Sequence, residues 1–341
     1  MGFIMKVCIF GAGRMGRRHI KSIGALGLHL GALYDINPIS LADSKKEFNL
    51  GDNLLFNDLD SLYANVKPDL VIISTNADSH CALVRIAAIN NAKYIFVEKP
   101  MATSISECEQ MIEVCKKNQV KLSVNHQMRF MEQYSLPKKL LESEAHGGLK
   151  SMTVIAGNCG LSMNGVHYFE AFNYLTGESI DRVSAWFSKE IVPNPRGQQY
   201  QDRAGCIRAE TRSGVRLYMD ISADQGHGVQ VTYSSSLGFI TVNELNGDMV
   251  VCERNEVYRN LPSNRYGMPS NNYQIKIDPV DIISSSASVL NALLDGRDIV
   301  SGEDGSLALK VLVAAYESAE NGSNWVSISN GLNKDRLFPW A

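Results

Sequence analysis

No run of about 18 apolar residues occurs anywhere in the chain, so no membrane-spanning helix is expected. Basic residues are not in surplus. The 33 Lys and Arg stand against 36 Asp and Glu, a formal charge of −3, and no charge run forms a tail. That excludes the electrostatic footprint of a nucleic-acid binder. Residues Met1 to Lys6 have no basic region leading into a long apolar stretch, so no signal peptide and a cytoplasmic location are expected. The seven cysteines (Cys8, Cys81, Cys108, Cys115, Cys159, Cys206 and Cys252) form no C-x-x-C pair and have no histidines at zinc spacing. Reduced thiols and no metal site follow. There is no internal repeat and no low-complexity tract. What remains is ordinary for a globular enzyme: 45% hydrophobic and 20% charged residues over 341 positions, too many for one ordinary core.

What is present is ordered. Lys6 to Phe10 is a short apolar run that ends in Gly11-Ala12-Gly13-Arg14-Met15-Gly16. A helical pattern follows to about Leu26, then a strand to Tyr34 and an acid, Asp35, 19 residues after the last glycine. G-x-G-x-x-G between a strand and a helix is the dinucleotide fingerprint. The first glycine allows the turn, the second lets the backbone approach a pyrophosphate, and the third lets helix and strand pack closely. Arg14 and Met15 sit in the same turn. Asp35 suits the two adenosine ribose hydroxyls and repels a 2′-phosphate, which favours NAD over NADP. Strands and helices of 10 to 15 residues then alternate, through a buried strand Asp69 to Ser74 and a helix His80 to Asn90, up to Val124. This predicts a doubly wound parallel sheet over residues 1–125. One of its strands, Tyr94 to Val97, runs into Glu98-Lys99-Pro100. Pro100 must end the strand, so Glu98 and Lys99 are presented at its carboxyl end, where open parallel sheets bind ligands. Asn125 and His126 end the next strand at the same crevice.

Beyond residue 125 the pattern changes. A helix from Arg129 to about Glu144 is expected despite Pro137, then a run of short strands with hairpin turns at Ser213-Gly214 and Asn246-Gly247. One helix, Gly165 to Leu175, interrupts them. Residues 193–204 and 259–272 read as loops. Two closing helices, Asp278 to Leu294 and Glu303 to Asn321, can pack back on the first domain. The fold class is therefore α/β. A Rossmann domain is followed by an α+β domain, residues 126–341, with a large, mostly antiparallel open sheet.

With these residues in place, the chain resembles the Gfo/Idh/MocA oxidoreductases, the glucose–fructose oxidoreductase and inositol dehydrogenase family. The resemblance rests on the glycine turn, on Ser74-Thr75-Asn76 with His80, on Glu98-Lys99-Pro100, on Met128-Arg129-Phe130, and on Ser301-Gly302-Glu303-Asp304-Gly305 before the last helix. It implies that Lys99 faces the nicotinamide and Glu98 its ribose, with Ser74, Thr75, Asn76 and His80 along the cofactor groove. It implies that a histidine of the second domain, by position His167, shares the substrate hydroxyl with Lys99. It also implies a homo-oligomer, dimer or tetramer, built through the open sheet. One departure stands out: the family's aspartate four residues before that histidine is Met163 here, with Asn164 one residue off the slot and Glu170 at the later acidic position. The expected activity is NAD-dependent oxidation of a secondary hydroxyl on a hexose, cyclitol, sugar phosphate or nucleotide sugar. Lys99 and His167 handle the proton, and Lys99 is expected to have a depressed pKa beside a cationic ring. Asn125, Arg129 and Asn164 are the further substrate candidates. For Arg129 the alternative is a structural ion pair. The alternative function is a cofactor-bound sensor or corepressor on the same fold.

Overall fold

The computed structural model describes residues 5–157, 159–192, 194, 196–222, 224–261, 266 and 268–340. Residues 1–4, and 193, 195, 262–265 and 267 of the two expected loops, lie outside the described residues. The chain divides into two compact units. The first is Met1–Gln127, Asp281–Leu309 and Asn333–Ala341; the second is Met128–Val280 and Lys310–Leu332.

The first unit alternates strictly: β1 (Val7–Phe10), α1 (Arg14–Ala25), β2 (Leu30–Tyr34), α2 (Pro38–Phe48), β3 (Leu55–Phe56), α3 (Leu59–Asn65), β4 (Leu70–Ile73), α4 (Ala77–Ile89), β5 (Tyr94–Val97), α5 (Ile105–Lys117) and β6 (Lys121–Val124). The sheet order is β3-β2-β1-β4-β5-β6, with every neighbouring pair parallel. β1 and β4 are buried at all four positions, as strands covered on both faces must be. Each such side chain contributes roughly 1.5–3 kcal/mol by leaving water. The strand order reverses between β1 and β4, which opens a crevice above their carboxyl ends. One start is corrected in detail. α4 begins at Ala77, three residues before the expected His80. At α5, Ser104 accepts from Glu107 N as a capping box requires, but the Glu107 carboxylate reaches back one residue further, to Thr103 N at 2.9 Å.

In the second unit the expected helix from Arg129 is a 3₁₀ turn, Gln127–Phe130, followed by α6 (Glu132–Leu141). Pro137 inside α6 has no N–H for the Gln133 carbonyl four residues back. Tyr233 Oη–H donates to that carbonyl at 3.3 Å instead, so the proline is accommodated. Then come β7 (Leu149–Gly157), a π-helical turn (Leu161–Gly165), α7 (Val166–Thr176), β8 (Ile180–Val192), β9 (Asp202–Thr211), β10 (Arg216–Ser222), β11 (Gln230–Ser235), β12 (Gly238–Asn243), β13 (Asp248–Arg254) and β14 (Ser270–Lys276). α8 (Ile282–Asp295) belongs to the first unit, α9 (Gly302–Glu320) contains a division point between the units, and β15 (Val326–Ser327) returns to the second. The nine strands order as β14-β13-β12-β11-β7-β10-β9-β8-β15. Pairing is antiparallel except between β10 and β7. Both loop expectations need trimming: β9 starts at Asp202, and β14 starts at Ser270. β14 is an edge strand, almost wholly exposed, so its residues carry no buried alternation to read.

Candidate active site

The glycine turn does three separate jobs. Gly11 has φ +101°, and a Cβ there would lie 2.8 Å from the Ser74 carbonyl carbon and oxygen. A Cβ on Gly16 would lie 1.8 Å from the Gly11 oxygen, so α1 can reach the turn only without a side chain. A Cβ on Gly13 would meet nothing within 4 Å. Space is therefore left open at the second glycine, at the N-terminus of a helix with no acid in its first turn. Free backbone N–H groups and the positive end of the helix macrodipole suit a diphosphate there. Asp35 is fixed beside the turn: Ala12 N donates to Oδ2 at 2.7 Å and Asn37 N to Oδ1 at 2.8 Å. Next to it Ile36 is 79% exposed, an apolar shoulder suited to an adenine face. Arg14 is exposed at the start of α1, and Met15 is half-buried, its sulfur accepting from Arg18.

Across the switch point, Ser74 Oγ donates to the Phe10 and Gly11 carbonyls at 3.1 and 3.0 Å, tying the end of β4 to the glycine turn. Thr75 Oγ1 accepts from Ser79 Oγ at 2.7 Å, and Asn76 stands at the N-cap position of α4 without a side-chain cap bond. His80 is buried, with Nδ1 3.1 Å from the Met101 carbonyl and Nε2 3.2 Å from the Thr75 carbonyl. Burial holds its pKa below the ordinary imidazole value, so the neutral ring donates to one of the two. His80 therefore braces the loop that follows Lys99. Phe338 N braces the same loop by donating to the Thr103 carbonyl at 3.0 Å.

Glu98 is the hub of this unit. It is 4% exposed. Oε1 takes His19 Nε2–H at 2.7 Å and Asn125 Nδ2–H at 2.8 Å, and Oε2 takes Lys99 N–H at 3.3 Å. Burial opposes ionisation, but the hydrogen bonds and charges of His19, Lys99 and Asn125 outweigh it and lower the carboxyl to about 2. Asn125 also donates to Ser286 Oγ of α8 at 3.2 Å. Asn125 is thus buried, with its amide nitrogen committed to Glu98 and Ser286.

In the second unit, Asn164 lies in the π-helical turn and His167 in the first turn of α7, where it is 6% exposed. π turns inside helices recur at functional sites. The turn is held by Asp202, fully buried at the start of β9, whose oxygens accept from Ser162 N at 2.8 Å and Met163 N at 2.9 Å. Burial raises the Asp202 pKa and the backbone donors pull it back down. A Cβ on Gly160 would lie 2.0 Å from Asp202 Oδ2, so the glycine makes room for the carboxylate. Glu170 is buried and paired with Arg129, whose Nε donates to Oε1 at 2.8 Å. Arg129 also stacks its guanidinium over Tyr174, 5.4 Å from the ring centroid. Beneath them, Tyr134 and Tyr168 hydroxyls donate to Glu244 Oε2 at 2.7 and 2.9 Å.

Three of the residues described above, two in the first unit and one in the second, were missed in the sequence. His19 falls within the helical pattern that runs to about Leu26 and has no motif of its own. Its signal was its place three residues after Gly16, one turn into α1. Asp202 fell in a stretch that reads as loop, with no local motif. Ile36 had a signal, an apolar residue directly after the acid that ends β2.

An open glycine turn on one side of a switch point and a lysine beside a buried acid on the other suit one class of protein: an oxidoreductase that lays a dinucleotide across the sheet. Residues 5–126 match the profile of the GFO_IDH_MocA oxidoreductases, with an NAD-binding Rossmann fold. Over these residues the chain is similar to the Gfo/Idh/MocA family, and it is an NAD(P)-dependent oxidoreductase acting on CH–OH groups. Over 93% of its length it is 24% identical to the myo-inositol 2-dehydrogenase of Thermotoga maritima, covering 96% of that protein. It is 23% identical to the D-apiose dehydrogenase of Rhizobium rhizogenes, over 87% of this chain and 89% of the other. Its fold is similar to that of an oxidoreductase from Agrobacterium radiobacter, solved with NAD+, L-tartaric acid and magnesium. The TM-score is 0.80 at 20% identity, over 96% of this chain and 99% of the other.

Proposed function

We propose that this protein is an NAD-dependent dehydrogenase that oxidises a secondary hydroxyl of a sugar or cyclitol, with Lys99 as the group that takes the hydroxyl proton. The observation that carries this is the placement of Lys99 at the end of β5, next to the buried carboxylate of Glu98 and on the half of the sheet opposite the glycine turn. Bound nicotinamide supplies the hydride acceptor. The chain's own residues orient and deprotonate. Gly13 and the start of α1 hold the diphosphate. Asp35, fixed by Ala12 and Asn37, accepts the adenosine ribose hydroxyls and repels a 2′-phosphate, which supports NAD over NADP. His167 is the second proton-handling group, on a helix whose start Asp202 holds. Asn164 is a substrate contact beside it. Arg129 belongs to the scaffold in this reading, because Glu170 already neutralises it. The named activities of the inositol and apiose dehydrogenases support polyols and sugars as the substrate class.

The test is a panel of hexoses, cyclitols, sugar phosphates and nucleotide sugars with NAD+ and with NADP+, followed by the absorbance of the reduced nicotinamide. Reduction of NAD+ by members of one class supports the reading; no reduction by any class sinks it.

We propose further that the open sheet joins copies of this chain. The strand register puts Trp186, Ile155, Tyr218, Phe239 and Val250 on one face, each at least 37% exposed, which is unusual for a sheet left facing water. Light scattering on the purified protein checks this. A dimer or tetramer that Trp186→Glu dissociates is expected, and a monomer at micromolar concentration would contradict it.

A further inference from the structure

The hub around Glu98 carries one more step. His19 comes from α1, is 1% exposed, and sits edge-on to Phe96 with ring centroids 5.4 Å apart. Its Nδ1 is buried and has no hydrogen-bond partner among the described residues. Nε2 is the ring nitrogen that faces Glu98, and its proton is committed to Oε1 at 2.7 Å. Asn125 donates to the same oxygen. Among the described residues Oε2 accepts only the long contact from Lys99 N. One carboxylate oxygen is thus fully occupied, and the other is turned toward the end of β5. In a doubly wound sheet the glycine turn and Asp35 take the adenosine half of a dinucleotide, so its other half falls on the β4-β5-β6 side, where Glu98 lies.

We propose that His19 is a positioning residue: it holds Glu98 as a fixed buried anion on the nicotinamide side of the crevice, and this anion biases the site toward the oxidised, cationic cofactor. The inference rests on the NAD-dependent reading above. A buried charge interacts with a cationic ring and much less with a neutral one, so the bias belongs to the ratio of the two cofactor affinities. The titratable groups that act on or feel Glu98 are His19 on α1, His80 on α4 and Lys99 next in the chain. All but His19 are common to the wild type and the variants below, so differences between them report on Glu98. The low value of the Glu98 carboxyl agrees with a donor committed to it.

The test measures dissociation constants of NAD+ and of NADH by fluorescence titration between about pH 5 and pH 8. It uses the wild type, His19→Leu, His19→Gln and Glu98→Gln, with folding checked by circular dichroism. Glu98→Gln, which keeps the shape and removes the charge, should weaken NAD+ relative to NADH on the order of tenfold at every pH. His19→Leu should show the same loss at the acid end and recover toward pH 8, as Glu98 reionises. His19→Gln, which keeps an N–H donor, should restore the wild-type ratio. Equal shifts for both cofactors in His19→Leu, or a Gln variant no better than Leu, would overturn the role of His19. An unchanged ratio in Glu98→Gln would overturn the bias itself, even if His19→Leu failed to fold. A wild type that binds neither nucleotide would overturn the dehydrogenase reading, and is distinguishable from the other results for that reason.

Discussion

Lys99 and Asp35 are single residues whose proposed tasks follow from each ending a strand of a doubly wound sheet. Lys99→Met should lower kcat about 10²–10⁴-fold, the usual worth of a general base, with NADH affinity within a few-fold of wild type. Steady-state rates beside a fluorescence titration check this. Asp35→Ala should raise the kcat/KM for NADP+ relative to NAD+, and an unmoved ratio would remove Asp35 from its role. The departure at Met163 reads differently once the chain is folded. The sequence shows an acid missing from the helix, whereas the structure shows one reaching the start of that helix from β9: Asp202 accepts from Met163 N itself. No local pattern could reveal this, because residues 163 and 202 meet only through the fold. Arg129 is the reverse case. Its alternative as an ion pair was visible, but its partner, Glu170, was read only as the residue at the later acidic position.

Elements were easiest to read where both faces are buried or a turn demands glycine. The glycine turn also offers the cleanest contrast between stability and binding. Gly16→Ala places a Cβ into the Gly11 carbonyl and should cost at least about 1–3 kcal/mol in urea unfolding. Gly13→Ala meets nothing and should leave stability within about 0.5 kcal/mol, while weakening NADH on the order of tenfold by filling the space its diphosphate needs. Glu244 links α6 and α7 through the Tyr134 and Tyr168 hydroxyls. Burial raises its pKa above the ordinary 4.5 and the two hydroxyls pull it down. A raised carboxyl means that ionisation costs stability as pH rises above about 4.5. Glu244→Gln should therefore match wild type near pH 4 and exceed it at neutral pH. Glu244→Leu strands two buried hydroxyls and should be less stable at both. The elements that escaped the sequence are those with little burial to betray them: two-residue β3 and β15, and edge strand β14, whose Ser-Asn-Asn-Tyr-Gln-Ile-Lys run resembles a loop.

At the scale of the whole molecule, the two layer architectures were legible because they have different periods: helices between buried strands before residue 125, and alternating strands with hairpin turns after it. The closing helices were expected to pack back on the first domain, and Asp281–Leu309, with Asn333–Ala341, joins the first unit. One feature was not legible. The Glu98 hub draws on α1, β5, β6 and α8, and its outermost members, His19 and Ser286, are 267 positions apart in the chain. Its charge should be felt globally. Glu98 is lowered from 4.5 to about 2, so its contribution is complete above about pH 4.5 and is lost as pH falls toward 2. That amounts to about 3 kcal/mol. Acid unfolding of Glu98→Gln should show a correspondingly shallower loss than wild type over that window. The most direct measurement of the central claim is turnover of wild type and Lys99→Met side by side, with NAD+ and the best substrate of the sugar and cyclitol panel. The account predicts NADH formation by the wild type and a rate at least about 10²-fold lower in the variant, with cofactor binding retained. A Lys99→Met enzyme that turns over at the wild-type rate would contradict it.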